Sequence, residues 1–258
     1  MPTLREGFQA QAAAIRRQAP AVDPDADPSE LHKLRVAIRR LRALLRAARP
    51  FLTDERAESL RGELRRLGRA IGPARDADVF AAQLRGAASD LDEEADALVR
   101  VQARAEDWRR EAYAAARAAL DAQSFERLLH DLDAFCAGVV VREASLRGLV
   151  RAESRKLQRA MRDVETDEAL HDARLKAKRV RYAAEVAEEQ EIVDRAKRFQ
   201  DVVGEHQDAV FAEERLRAFS EPATALVIGR LIERQRARRV SARAEVPRAW
   251  RKLAKAIA

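Results

Sequence analysis

Apolar residues recur along this chain every three to four positions and almost never alternate strictly, a pattern that predicts helices and gives strands little support. Leu4, Phe8, Ala12 and Ile15 mark a first amphipathic helix, stopped by a linker with prolines at 20, 24 and 28. From His32 to Arg49 the two faces of the next helix separate cleanly. At about 100° per residue, His32, Arg35, Arg39, Arg42, Arg46 and Arg49 share one arc, while Leu34, Ala37, Ile38, Leu41, Leu44, Leu45 and Ala48 lie opposite. One face is built for a core and the other for something anionic. Ser29 is the predicted N-cap and Pro50 the stop. Leu60, Leu64, Leu67 and Ile71 then define a third helix over about Thr53 to Ile71, punctuated by Gly72-Pro73. A long helical stretch follows from about Asp76 towards Leu120, with Gly86 as a candidate break. Phe125, Leu128, Leu129 and Leu132 give a short connector over Ser124 to Phe135.

The basic helix recurs. His171, Arg174, Lys178 and Arg181 take the places of His32, Arg35, Arg39 and Arg42, and Ala173, Ala177, Val180, Ala183 and Ala184 take apolar ones. Val203 to Val210 likewise matches Ile71 to Asp78, which predicts a break at Gly204 like the one at Gly72. The separation is 139 residues at the histidines and 132 at the glycines, so a seven-residue length difference lies between. Matched punctuation over this length points to duplication. The expected organisation is a single domain over 1–258, with a first repeat over about 3–120, a connector over 124–137 and a second repeat over about 143–241. The fold class is all-α, two four-helix bundles about a pseudo-twofold axis, which would bring both basic stripes to one groove. A stripe of about 25 Å, at 1.5 Å rise per residue, suits an extended polyanion.

Composition narrows the function classes. One cysteine, Cys136, excludes an intramolecular disulfide, and four histidines without a cysteine cluster make a metal centre improbable. The N-terminus lacks a signal-peptide core and no apolar run approaches membrane-spanning length, so a soluble cytoplasmic protein is expected. The net charge of +7 is segregated: residues 86–98 hold five acids and no base, whereas 32–49 hold seven bases and no acid. Such segregation predicts a focused positive site.

Histidine-led basic helices in each half, the Arg75-Asp76 pair after a glycine turn and the all-helical duplication together resemble the CHAD family, the conserved histidine α-helical domain. The resemblance runs from about Leu4 to about Ser241. It implies paired four-helix bundles with a basic channel for inorganic polyphosphate, association with polyphosphate granules, and no catalytic role. Carried over by position, the binding residues are His32, Arg35, Arg39 and Arg42 in the first half and His171, Arg174, Lys178 and Arg181 in the second, and Arg46 joins them as the next basic residue on the first arc. Arg40, Arg49 and Arg179 lie at the margins of the set. Two departures weaken the symmetry: Glu185 stands where Arg46 stands, and Gln207 replaces Arg75. The first half is therefore expected to bind more strongly.

Guanidinium forks can hold two phosphate oxygens at once, and helical spacing stacks them turn upon turn. Affinity should grow with polymer length and fall steeply with salt. Against this stands the ordinary fate of a charge run, a solvated helix face; repetition of the arc in a second copy favours binding. His32 and His171 head the same arc and are read as phosphate donors, so binding should take up protons and tighten as pH falls through about 7 to 6. Asp76 and Asp208 are read as acids at helix starts, answering free amides, with the orienting of a basic-face arginine as the second reading. Arg147, Arg151, Arg155, Arg159 and Arg162 form another basic line, read as surface because Glu143 and Glu153 can pair with it. Trp108 and Trp250 are read as packing anchors. Aromatic residues at 5% provide few stacking platforms, which lowers the rival reading of an RNA-binding protein. A polyphosphate-processing enzyme is the other rival, but no phosphate-binding glycine loop or nucleophile beside a base is present, and His130 on the connector and His206 in a turn do not assemble a metal cluster. No cofactor is expected.

Overall fold

The computed structural model describes residues 4–52, 56–86, 95–140 and 146–258, which form ten α-helices with no strand among the described residues. The chain divides into two units, Met1–Ala144 and Ser145–Ala258. Predicted features at Thr53, Glu143 and most of the acidic 86–98 segment lie outside the described residues.

In the first unit, α1 (Leu4–Gln18) buries Leu4, Phe8, Ala12 and Ile15, as their spacing predicts. Next, α2 (Pro28–Ala48) buries Leu31, Leu34, Ala37, Ile38, Leu41, Leu44, Leu45 and Ala48. Each large apolar side chain on that face contributes about 1.5–3 kcal/mol. Repulsion between exposed like charges is about 1 kcal/mol or less, so the core face can carry a row of cations on its back. The N-cap of α2 is Asp27 rather than Ser29: its carboxylate accepts from the Ser29 amide at 2.8 Å and from the Ser29 hydroxyl at 2.7 Å. The reason is Pro28, whose fixed φ and missing N–H suit the first helical position and move the cap one residue ahead of it.

Helix α3 (Arg56–Ala70) stops before Gly72-Pro73, and α4 (Gly72–Gly86) begins there. Gly86 is the last described residue of α4, so the expected break there borders residues outside the description; α5 (Ala95–Asp121) follows them. Helix α6 (Gln123–Gly138), read from sequence as a connector, packs on α1 and α3 within the first unit. Phe8 meets Phe135 edge-on at 5.5 Å, and Arg5 donates to the terminal carbonyls of Cys136 at 3.1 Å and Ala137 at 2.7 Å. Trp108 packs edge-on to Phe80.

The second unit has four helices: α7 (Leu146–Ala160), α8 (Asp167–Val186), α9 (Gln190–Ala218) and α10 (Ala225–Ala256). Thr166 caps α8 by accepting from the Ala169 amide at 3.1 Å. Leu157, Leu170, Val180, Phe199, Val203 and Leu253 form its core, with Trp250 edge-on to Phe199. The predicted break at Gly204 is absent: α9 runs straight through it. Glycine alone does not end a helix, whereas Pro73 lacks an amide and restricts the residue before it. Asp208 and His206 are consequently inside a helix, neither at a helix start nor in a turn.

One device recurs in both units. Arg109 of α5 donates to the Pro24 carbonyl, and Arg243 of α10 donates to the carbonyls of Val164 at 2.6 Å and Glu165 at 2.7 Å. In each case the unit's long helix fixes the segment that leads into its basic helix.

Candidate functional site

Because the apolar arc of α2 is sealed in the core, its basic arc is left outward: Arg35, Arg39 and Arg42 are half-buried, and His32, Arg46 and Arg49 are exposed. Among the described residues, no carboxylate forms an ion pair with Arg39, Arg42, Arg46 or Arg49. Arg35 reaches towards α4, where its guanidinium approaches Asp76 at 4.0 Å. Asp76 thus takes up its second reading, as the partner of a basic-face arginine.

The row on α2 is met by more cations. Burial lowers the Arg35 pKa from its ordinary value, and Arg39 and Arg75 lower it further while Asp76 opposes them. Arg42 is lowered by burial and then by Arg61, Arg65 and Arg69 of α3. His32 is held down by desolvation and by Arg75, Arg39 and Arg35. Both arginines stay protonated, but their charge is held at an electrostatic cost that an anion would remove. Arg61, Arg65, Arg69 and Arg75 were missed as site residues. The four-residue spacing of Arg61, Arg65 and Arg69 on an amphipathic helix was the signal that could have found them.

On the second unit, α8 presents His171 exposed and Arg174, Lys178, Arg179 and Arg181 half-buried. Here the cations are more fully answered by neighbours. Arg174 donates from Nε to the Gln200 carbonyl at 3.3 Å and from Nη1 to Gln207 Oε1 at 3.2 Å. Arg181 lies 3.4 Å from Glu185 and over the Tyr182 ring at 4.8 Å. Lys176 pairs with Asp172. The positions on α9 that match Arg61, Arg65 and Arg69 at the 132-residue separation hold Val193, Lys197 and Asp201.

One contact is the same in both units. A Cβ built on Gly72 would lie 3.1 Å from the Arg35 guanidinium, and one built on Gly204 would lie 2.9 Å from that of Arg174. The third residue after each histidine therefore rests its guanidinium on a glycine of a later helix, α4 in the first unit and α9 in the second.

Other predicted features fall elsewhere. Arg40, at the margin of the set, is half-buried. Glu153 is buried and pairs with Lys156 rather than with the arginine line on α7. His130 is exposed on α6. His206 is buried, with Nε2 3.2 Å from Asp167 at the start of α8. A cleft between α3, α5 and α6, lined by Arg66, Leu67, Phe125 and Leu128, lies off the basic face.

A family model described as the CHAD domain matches residues 6–217. The chain belongs to the CHAD family. Two curated relatives from Mycobacterium tuberculosis, the uncharacterized proteins MT2285 and Rv2226, are each 32% identical over 205 residues, covering 72% of this chain and 39% of the relative. The chain thus spans about two fifths of the length of the curated relatives it matches. Among solved structures, PptA from Streptomyces chartreusis superposes with a TM-score of 0.78 at 22% identity, covering 96% of this chain and 98% of that one. The CHAD domain from the plant Ricinus communis gives 0.77 at 22% identity, covering 97% and 90%. The all-α fold is that of these two structures. The CHAD match takes in both basic helices and both glycine contacts but stops before α10, which nonetheless packs along α9 and supplies Arg243. Among the described residues, no helix is long and apolar enough to cross a membrane.

Proposed function

We propose that the basic faces of α2 and α8 bind inorganic polyphosphate. The contacts would come from His32, Arg35, Arg39, Arg42 and Arg46 in the first unit and from His171, Arg174, Lys178 and Arg181 in the second. Arg40, Arg49 and Arg179 sit at the margins, and Arg61, Arg65, Arg69 and Arg75 extend the first face. The observation that carries this reading is the row of Arg39, Arg42, Arg46 and Arg49 on one face of α2, which has no ion pair to a carboxylate among the described residues and whose Arg42 lies beside Arg61, Arg65 and Arg69 of α3. A ligand rich in phosphate oxygens supplies the missing negative charge along the whole row, which one small anion would not. Polyphosphate association is the property known for CHAD domains, and the pattern here agrees with it.

In this reading the two units descend from one repeat, spanning about 3–120 and 143–241 and joined through 124–137, and each presents its own basic face to the polymer. The protein acts as a binding module that associates with polyphosphate granules in the cytoplasm. RNA binding is the second reading, disfavoured because few aromatic residues are available to stack on bases. Catalysis is the third.

Titration with polyphosphates of defined length, and with RNA at equal phosphate, separates the three. Binding should favour polyphosphate, strengthen with length and release no orthophosphate. Preference for RNA, or shortening of the polymer, would replace the proposal with one of its rivals. Joint charge reversal, Arg39→Glu with Lys178→Glu, should abolish binding with the helical content intact; surviving affinity would refute binding by these two basic faces.

A further inference from the structure

We propose that Gly72 and Gly204 are positioning residues, each keeping open the space on its helix in which the guanidinium of Arg35 or Arg174 rests. This rests on the polyphosphate reading, because the consequence is the direction in which those two guanidinium groups meet an anion.

Neither glycine is there for backbone freedom. Among the described residues no glycine has a positive φ, and Gly204 lies in the interior of α9, where glycine is destabilising relative to alanine. What Gly204 lacks is a side chain, and the vacated volume is occupied: a Cβ would lie 2.9 Å from Arg174 Nη2 and 3.5 Å from its Cζ and Nε. At Gly72 the nearest atom is Arg35 Nη1, at 3.1 Å. Other helical glycines carry no guanidinium so close: the nearest lie at 3.8 Å, Arg56 Nη2 by Gly138, and at 3.9 Å, Arg42 Nη1 by Gly68 and Arg66 Nη1 by Gly62. Gly86 and Gly229 have nothing within 4 Å of the same position. The seat therefore goes with the arginine, and it recurs in both units although Gly72 begins a helix and Gly204 lies within one. In the second unit the seated guanidinium also donates to the Gln200 carbonyl and to Gln207, so its plane is fixed by several contacts.

The crowded atoms are the far end of a flexible side chain. A methyl group at either glycine would push the guanidinium aside rather than spread the helices. In α9 the new methyl would also favour the helix. Stability and affinity should then move in opposite directions, which loss of ordinary packing would not produce.

The test uses the full chain and polyphosphate of one defined length. Gly72→Ala and Gly204→Ala should each weaken Kd about tenfold and make the salt dependence shallower by about one released counterion. The melting temperature should hold or rise, and Gly229→Ala should leave Kd unchanged. A double-mutant cycle isolates the seat: in an Arg174→Lys background, whose narrower head does not fill the space, adding Gly204→Ala should cost no further affinity. Wild-type Kd and salt slope in both alanine variants would overturn the inference while leaving the binding reading intact. Loss of the fold in Gly204→Ala would place the crowding on the helices and overturn it too. Failure of the wild-type chain to bind polyphosphate would remove both.

Discussion

The two units share an arginine seated on a glycine and the anchoring of the segment before the basic helix, yet they differ in their helices, six against four among the described residues, and they treat charge differently. In the first, Arg42 lies among Arg61, Arg65 and Arg69 and has no ion pair among the described residues. In the second, Arg181 has Glu185 at 3.4 Å, and Gln207 stands as a neutral hydrogen-bond partner where the first unit has Arg75. The first unit thus holds its cations at greater electrostatic cost. It also holds a buried cluster around an acid: Asp78 accepts from Arg109 Nε at 2.9 Å and from the Tyr113 hydroxyl at 2.9 Å, and lies 4.0 Å from Arg75. Burial and that hydrogen bond raise the Tyr113 pKa, keeping it a neutral donor. Val210 stands at the matching position in the second unit. Shared architecture with unequal charge means that one fold can be loaded to different degrees, and that the loading should appear in binding.

The largest effect should come from removing what the first unit alone possesses. Asp78→Ala leaves Arg109 and Tyr113 without their shared acceptor and should cost about 3–5 kcal/mol in urea denaturation. A cost near zero would mean that the cluster does not hold the unit. Next in size is the difference in helix continuity. Glu205→Pro places in α9 the residue that breaks α3 from α4, and should cost about 3 kcal/mol; Pro73→Ala should change stability by less than about 1 kcal/mol. Circular dichroism with thermal melts reads both.

Smaller again is the contrast in binding. Arg42→Glu should weaken polyphosphate affinity about 100-fold, and Arg181→Glu less than about tenfold because Glu185 already offsets that charge. Calorimetric titration of the two variants gives the comparison, and equal losses would erase the asymmetry. The smallest effect is a pH dependence belonging to the second unit. Burial, with Arg243 and Arg239 adding to it, holds His206 below its ordinary value despite Asp167. Above about pH 6.5 the imidazole is neutral whether folded or unfolded and contributes nothing. As pH falls below that, the unfolded chain takes up the proton first, so stability is lost. His206→Gln should flatten the stability profile between pH 7 and about 5.

Helix periodicity and the histidine-led arcs were legible because a core face and a charged face leave direct traces at 3.6-residue spacing. The cap at Asp27 was readable in principle, since Pro28 names the first helical position, but Ser29 fits the usual cap preference and drew the reading two residues too far. Continuity of α9 was not legible from Gly204 alone, because glycine is compatible with either a break or a close approach, and only the Arg174 guanidinium decides between them. The α3 arginines were masked by their own helix: Arg61 pairs with Glu58, which resembles ordinary surface pairing until α2 is seen to bring Arg42 against the same face. Packing of α6 into the first unit likewise depends on contacts far apart in sequence, such as Phe8 with Phe135.

The sharpest single test is the slope of log Kd for polyphosphate against log salt, measured for the wild-type chain and for Arg39→Ala with Arg42→Ala. If the α2 row contacts the polymer directly, the wild-type affinity falls steeply with salt and the double variant loses about two counterions from the slope. An identical slope in a variant that keeps its helical content would show that the row faces only solvent, and the binding face would have to be sought elsewhere on the molecule.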